Sequence, residues 1–373
     1  MSIKKKRVVL SVTNDLVSDQ RVHKISTTLL EMGFDVCVVG RIRPWSEKLE
    51  REYNTHRFKL VFSKKMWFYA EYNLRLFFFL LFNKFDLYVA NDLDTLLPNF
   101  LVSKLKNKEL VYDSHEYFTE VPELLSRPKI RKVWLKIEEY IFPKLKTVYT
   151  VNKEIAEIYN KKYKVDVKII RNIAPKLKNT TVDKGFAERI KGKKKMLIFQ
   201  GAGINIDRGA EELIESMQWI DNAILYIIGS GDVFGQLRIL VNKFSLQQKV
   251  FILDKMSYLD LMEYTKIADL GLSLDKGTNP NYENALPNKV FDYIQAQIPL
   301  LVSNRRVVTD LVRSNNIGFV LSEVTPKVLA NTINDIFKLD KSVIQKNLKV
   351  VAEKYSWEEE SKSLKLIYSP YLD

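Results

Sequence analysis

Arg208 closes the loop Gln200-Gly201-Ala202-Gly203-Ile204-Asn205-Ile206-Asp207-Arg208-Gly209, which follows an apolar run and precedes the helix-like stretch AEELIESMQWI. Glycines there let the backbone come close to a ligand, and a guanidinium just ahead of a helix amino terminus makes a seat for phosphate. A plain turn from strand to helix has the same composition. The second group lies in Asn279–Gln297, NPNYENALPNKVFDYIQAQ. Pro287 suits the first turn of a helix whose positive end would carry Asn288 and Lys289, with Asp292 one turn further in. A carboxylate at that depth has the reach to accept from the two hydroxyls of a ribose. Taken alone, Glu283 and Asp292 read equally as ordinary first-turn acids.

His115, one of three histidines, stands in Tyr112-Asp113-Ser114-His115-Glu116 directly after an apolar run. An imidazole there could donate to a sugar hydroxyl or take part in proton transfer, or simply cap the next element. No serine-histidine-acid set and no histidine pair at metal spacing accompanies it, which argues against a hydrolase triad and a zinc site. Asn14–Arg21 (NDLVSDQR) and Asn91-Asp92-Leu93-Asp94 follow two further runs. Their acids and amides suit an acceptor with many hydroxyls, though solvated loop charge would look the same. The first of these loops has no glycine, so a dinucleotide fingerprint is absent and an NAD enzyme is disfavoured.

The elements that must position these groups are strands. Apolar runs recur at Arg7–Val12, Asp35–Val39, Asp86–Ala90, Glu109–Tyr112, Thr147–Val151 and Val167–Ile170, with helix-length segments between them. A second series follows at Met196–Phe199, Ile224–Ile228, Val250–Leu253, Asp269–Leu274, Leu300–Ser303 and Gly318–Leu321. Continuous Val/Ile/Leu/Tyr runs, rather than alternation, mean strands covered on both faces, hence parallel sheets built of βαβ units. Ligands of such sheets bind at the carboxyl ends of strands, which is where each group above falls. The expected fold is α/β, with two doubly wound domains across a cleft: 1–172, a lysine-rich link at 173–195, and 196–355. A terminal helix at 356–373, starting near Trp357 after Ser356, is positioned to pack back on the first domain.

The chain has 373 residues, 46% of them hydrophobic, enough for two cores and too many for a disordered chain. Cys37 is the single cysteine, so no disulfide framework is expected and a reducing cytoplasm fits. The basic opening lacks the apolar length of a signal peptide, and the peak Leu76–Phe82 falls far short of the roughly 20 residues that span a bilayer. Residues 1–200 hold 40 Lys+Arg against 23 Asp+Glu, while the remainder is slightly acidic. The basic excess points to an anionic partner for the first half. A nucleic-acid reader would show a motif or a basic-aromatic platform, and neither is present. An anionic membrane surface is the other such partner, met through Met66–Phe82 with Lys64, Lys65, Arg127, Lys129, Arg131 and Lys132, though Met66–Phe82 reads equally as a buried helix of the first domain.

Together these segments resemble the retaining family-4 glycosyltransferases of GT-B architecture, two facing Rossmann-like domains. Asp19-Gln20-Arg21-Val22 resembles the family's D-x-R-V start, Tyr112–Glu116 its strand ending in histidine, and Ile170-Arg171-Asn172 its I-P-N landmark. Phe199–Gly209 is similar to the loop carrying a phosphate-binding base, Gly229-Ser230-Gly231-Asp232 to its G-x-G-x turn, and Ala268-Asp269 to the A-D before the donor loop. The acid pair departs from the pattern: Glu283 and Asp292 are one residue further apart than usual, and the second is aspartate. Aligned backward from Pro299, Asp292 takes the ribose-binding place and Glu283 is displaced by one. The P-N-K-x-F-D-Y form resembles a branch of polysaccharide-building members.

That resemblance implies a transferase with retained configuration, no metal and no cofactor, using a nucleotide-sugar, with UDP favoured over GDP. His115, Glu283 and Arg208 would be catalytic. The donor would be held by Gly201, Arg208, Gly229, Met256, Asn284, Ala285, Leu286, Asn288, Lys289 and Asp292. Asn14, Asp19, Arg21, Asp92 and Asp113 would face the acceptor, a glycan or lipid-linked saccharide. The expected place is the cytoplasm, peripheral to the inner face of the cell membrane, in surface polysaccharide synthesis. A sugar-nucleotide epimerase of the same architecture, or a non-catalytic nucleotide or nucleic-acid binder, are the rival readings, and oligomeric state stays open.

Overall fold

The computed structural model describes residues 5–44, 46–63, 65–178, 180–277 and 279–372. They form two compact units, Met1–Asn172 with Glu359–Asp373, and Ile173–Glu358.

The first unit holds β1 (Arg7–Asp15), β2 (Asp35–Ile42), β3 (Asn54–Lys59), β4 (Leu87–Asn91), β5 (Glu109–Ser114), β6 (Thr147–Thr150) and β7 (Val167–Ile169). Their order is β3-β2-β1-β4-β5-β6-β7, every pairing parallel. The second unit holds β8 (Lys195–Gly201), β9 (Ala223–Gly229), β10 (Val250–Asp254), β11 (Leu270–Ser273), β12 (Leu300–Ser303) and β13 (Gly318–Leu321). The order there is β10-β9-β8-β11-β12-β13, again all parallel. Each of the twelve apolar runs became a strand. The thirteenth, β3, was not foreseen: in NTHRFK only Phe58 is buried, so this edge strand carries almost no apolar signal.

Two-sided burial explains the continuous runs. Met196 and Ile198 enter the core on one face of the second sheet, while Leu197 and Phe199, alternating with them, enter the core on the other. All seven residues of β9 are buried. Each fully buried Ile, Leu or Phe contributes on the order of 1.5–3 kcal/mol, so a polar residue anywhere in these strands would be costly.

Topology fixes where ligands go. In both sheets the chain winds outward in one direction and then in the other, so β1 and β4, and β8 and β11, are adjacent strands whose following loops diverge. The carboxyl ends at these two switch points are the places where an open parallel sheet leaves a crevice.

Residues 173–195, read from sequence as a link, fall within the second unit. The helix Lys184–Lys191 is capped by Asp183, which accepts from the Phe186 N–H at 3.0 Å, and Lys191 Nζ bonds Asp269 at 2.7 Å. The last helix, Trp357–Tyr368, begins at the expected residue. Its end packs in the first unit: the Tyr368 hydroxyl lies 3.1 Å from that of Tyr149, and its ring meets Phe34 edge-on at 6.4 Å. Met66–Phe82 lies in the helix Lys65–Phe82, anchored by the buried Phe68, Tyr72, Leu76 and Leu80. Lys64, grouped with it in the sequence reading, lies outside the described residues, as does the side chain of Lys65. Among the described residues no helix is long and apolar enough to cross a membrane.

Candidate active site

The β8/β11 switch point carries a cluster of three charges. The loop after β8 is pinned at two glycines: a Cβ at Gly229 would lie 1.8 Å from Gly201 O, and one at Gly231 would lie 1.9 Å from Ile204 O. Backbone bonds Ser230 N–H to Gly201 O (3.1 Å) and Ile204 N–H to Ser230 O (2.9 Å) hold the two loops together. Gly209 has φ +78°, and its missing Cβ leaves room for Leu274, which ends the run through β11. Arg208 is thereby brought to Asp275, with Nη1 2.8 Å from Oδ2. Its guanidinium also lies over the Tyr282 ring, 4.1 Å from the centroid.

Lys289 enters from the first turn of the helix Asn288–Gln295, whose N-cap is Pro287. Its ammonium sits over the Phe199 ring at 4.2 Å. Burial lowers the Lys289 ammonium to about 8, helped by Arg208 and opposed by Asp275. Two cations around one buried carboxylate leave a net positive seat beside a helix amino terminus, the arrangement an oxyanion needs. Asp275 was missed by sequence reading, because an acid in LSLDKG has no pattern to mark it.

One turn deeper, Asp292 accepts from Gln200 Nε2 at 2.9 Å and from the Tyr258 hydroxyl at 3.1 Å. Gln200 is itself fixed by Thr265 Oγ1, which donates to Gln200 Oε1 at 2.8 Å. Asp292 is therefore an oriented carboxylate rather than a solvated first-turn acid. Met256 precedes this helix partner, in the turn before Tyr258–Ile267, and is half-buried.

Glu283 lies on the short helix Pro280–Asn284 and forms an ion pair with Arg305, a partner 22 residues away. Arg306 Nη2 reaches Asn284 Oδ1 at 3.2 Å. The segment Asn284–Asn288 thus continues from a helix braced by two arginines, with Ala285 and Leu286 half-buried between.

The β1/β4 switch point of the first unit is built around His115. Its backbone N–H donates to Asp92 Oδ1 at 2.7 Å, and its Nδ1 lies 3.3 Å from Asp92 Oδ2. Nε2 lies 3.1 Å from Asp113 Oδ2. Asp113 is fully buried and receives Arg21 in a fork, Nε at 2.9 Å and Nη2 at 2.6 Å, while Arg21 Nη1 donates to Ile170 O at 2.9 Å. Burial alone would lower the imidazole, but the carboxylates of Asp92 and Asp113 reverse this and raise it to about 9. Burial also lifts the Asp92 carboxyl, so the His115–Asp92 contact titrates as a pair. With an acceptor at each ring nitrogen, the favoured form is the imidazolium, a poor general base. Of the three roles open from sequence, proton abstraction is the one that this form disfavours.

Asp92 has φ 61° and ψ 167°, a region that side-chain-bearing residues rarely occupy and that costs about 1–3 kcal/mol. Such strain persists only where its surroundings impose it, here the bonds to His115 and that from Asp92 N–H to Asp113 O at 2.8 Å. Next to it, Thr13 Oγ1 donates to Asp94 Oδ2 at 2.6 Å, and burial raises Asp94 to about 6. Asn14 donates to Asp19 at 2.9 Å, and Asp19 caps the helix Gln20–Glu31 through the Val22 N–H at 3.0 Å. Of the residues read as facing an acceptor, Arg21 and Asp113 are therefore spent on one another and on His115. Asp92 serves His115 first, and Asn14 and Asp19 remain at a half-open helix end.

Two doubly wound parallel-sheet units, each presenting polar side chains at its switch point, place the chain in the Rossmann-like α/β class. The family described as Glycosyl transferases group 1 matches residues 183–354, and that described as Glycosyltransferase Family 4 matches residues 19–174. The chain belongs to the family-4 group of glycosyltransferases and has the GT-B fold, as expected from its sequence. Among solved structures, sucrose-phosphate synthase from Thermosynechococcus elongatus is similar at 15% identity, covering 98% of this chain and 99% of that one, with a TM-score of 0.80. HepE of Anabaena in complex with UDP-glucose is similar at 14% identity over 98% and 99% of the two chains, TM-score 0.76. WaaG, a glycosyltransferase involved in lipopolysaccharide biosynthesis, is similar at 16% identity over 96% and 99%, TM-score 0.69. No curated protein matches the chain.

Proposed function

We propose that this glycosyltransferase moves a hexose from UDP onto a hydroxyl of a glycan or lipid-linked saccharide, with retained configuration, in the building of a surface polysaccharide. The observation that carries the donor half of this reading is the Arg208–Asp275–Lys289 cluster beside the amino terminus of the helix Asn288–Gln295. The departing diphosphate gathers negative charge as the glycosidic bond breaks. Cations already fixed and partly desolvated stabilise that charge without reorganising. Asp292, aimed by Gln200 and Tyr258, is suited to receive two ribose hydroxyls, and the solved HepE complex with UDP-glucose supports uridine as the base. His115, as an imidazolium, would share its longer-bonded Nδ1–H with a sugar hydroxyl.

The test is competition binding of UDP, GDP and ADP, which needs no acceptor. Arg208→Ala should weaken UDP binding by about 1.5–3 kcal/mol, the worth of a charge-assisted hydrogen bond. Calorimetry that returns the parental affinity would remove Arg208 from the site.

A pH effect follows from Lys289. An ammonium with a value near 8 in the free protein is driven further towards its charged form by a bound diphosphate. Affinity for UDP should therefore fall as pH rises through 8, with proton uptake on binding near that pH. Titrations in buffers of different ionisation enthalpy read this directly, and Lys289→Met should abolish the uptake. A wild-type affinity that stays level between neutral and alkaline pH would argue against the contact.

A further inference from the structure

A helix lying on the surface of a domain normally turns its apolar side inward and its polar side to water. The helix Lys65–Phe82 does not. Phe68, Tyr72, Leu76 and Leu80 fill the core, yet the opposite side presents Trp67, Leu74, Phe78 and Phe82, which are 60%, 59%, 46% and 78% exposed. Phe78 and Phe82 stack on each other, 6.1 Å apart and 9° from parallel, so the exposed rings are ordered with one another. Leu101 and Leu105 of the packed neighbouring helix, Leu93–Leu105, are also exposed. Lys106 Nζ ties the two helix ends together, bonding Leu80 O at 2.9 Å and also Asn83 O.

The acids beside this face are each paired with a basic residue. Glu71, the one acid on the helix, is held by Arg75 at 2.8 Å and by the N–H groups of Val61 and Phe62. Between Leu101 and Leu105 stands Lys104, on the rim of a cavity of ≈ 90 Å³ that Lys108, Lys144 and Lys146 also line. Lys146 is neutralised by Glu109 at 2.7 Å and Lys108 by Asp86 at 3.0 Å. Among the described residues neither Lys104 nor Lys144 has a carboxylate at ion-pair distance. They lie instead against rings, Lys104 5.8 Å from the centroid of Phe100 and Lys144 3.0 Å from that of Tyr140.

We infer that this face of the first unit docks on an anionic phospholipid bilayer: the aromatic side of Lys65–Phe82 enters the interface, and Lys104 and Lys144 meet lipid phosphates. The exposed apolar positions run from Trp67 to Phe82, about 22 Å of helix. That length suits an element lying in the plane of an interface rather than crossing it. A second copy of the chain fits poorly, because a two-fold contact would set lysines against lysines. Lys104 and Lys144 lie with Glu109 and Lys146 around the cavity at the amino-terminal ends of β5 and β6, while the first turns of the helix Lys65–Phe82 run towards the loop after β4, where Asn73 Nδ2 donates to Asp94 O at 2.9 Å.

The experiment is flotation of the full chain with vesicles of phosphatidylcholine alone and of phosphatidylcholine mixed with phosphatidylglycerol. Wild type should partition at least about tenfold more strongly onto the mixed vesicles, and high salt should erase most of that preference. Phe78→Ser with Phe82→Ser should lower binding to the mixed vesicles about tenfold or more, and Lys104→Glu with Lys144→Glu should remove the preference for them. All four positions are exposed, so the variants should keep wild-type circular dichroism and UDP affinity. Equal partition of wild type onto both vesicles, or unaltered binding by both variants, overturns the inference. So does a wild-type dimer in sedimentation that Phe78→Ser with Phe82→Ser converts to monomer, since a second copy then covers the face.

Discussion

His115→Ala is expected to lower the rate of sugar transfer about 100- to 1000-fold while leaving UDP affinity within a factor of about two, the scale seen when one preorganised donor to developing charge is removed. The separation follows from where the groups reside. Arg208, Lys289 and Asp292 belong to the second unit, whereas His115 is built from β5 and the loop after β4 in the first. The active form on this account is the imidazolium. Its value of about 9 lies above the ordinary 6.5, so the contribution is complete below neutral pH and disappears as pH rises through 9. Asp92→Asn, which removes one supporting carboxylate, should move that alkaline limb to lower pH. A variant His115→Ala that transfers at the parental rate would take the imidazole out of the mechanism. Equal losses of rate and UDP affinity would make it a structural support.

Arg21→Met should be the most destabilising single change in the first unit. It strands the Asp113 carboxylate, fully buried, without its two forked hydrogen bonds, and frees Ile170 O as well. Breaking a buried pair from one side costs about 3–5 kcal/mol. At about 2–4 °C per kcal/mol for a unit of this size, the melting transition should fall by roughly 10 °C. Replacing both partners, as Arg21→Met with Asp113→Leu, should return much of the loss, because no charge is then left alone. His115 would still lose its Nε2 partner, so the double variant should be stable and slow. A single variant that melts with wild type would show that the pair contributes little to the fold.

The two sheets were legible because covered parallel strands must be apolar along their whole length, as β9 is. Asn54–Lys59 escaped because an edge strand with one buried side chain is written in polar residues. Positions that follow strands, such as Arg208 and His115, could be marked as candidates from local order alone. Their partners could not. Arg21 meets Asp113 from 92 residues away, Glu283 meets Arg305 from 22, and Asp292 meets Gln200 from 92, and each pairing depends on which strands are neighbours. That is why Arg21 and Asp113 looked available to an acceptor, and why Asp275, placed by β11 against Arg208, carried no signal. For Met66–Phe82 the sequence allows both a membrane-facing segment and a buried helix, and which of its residues face outward depends on the neighbours the helix packs against.

The central claim is that the β8/β11 switch point seats the diphosphate of a uridine nucleotide-sugar. Calorimetric titration of the full chain with UDP, GDP and ADP, repeated on Arg208→Ala with Lys289→Met, tests it most directly. The account predicts one UDP per chain, bound more tightly than GDP or ADP, and a loss of at least about 100-fold in the double variant. Absence of binding for all three nucleotides, or a double variant that binds UDP as wild type does, would contradict it.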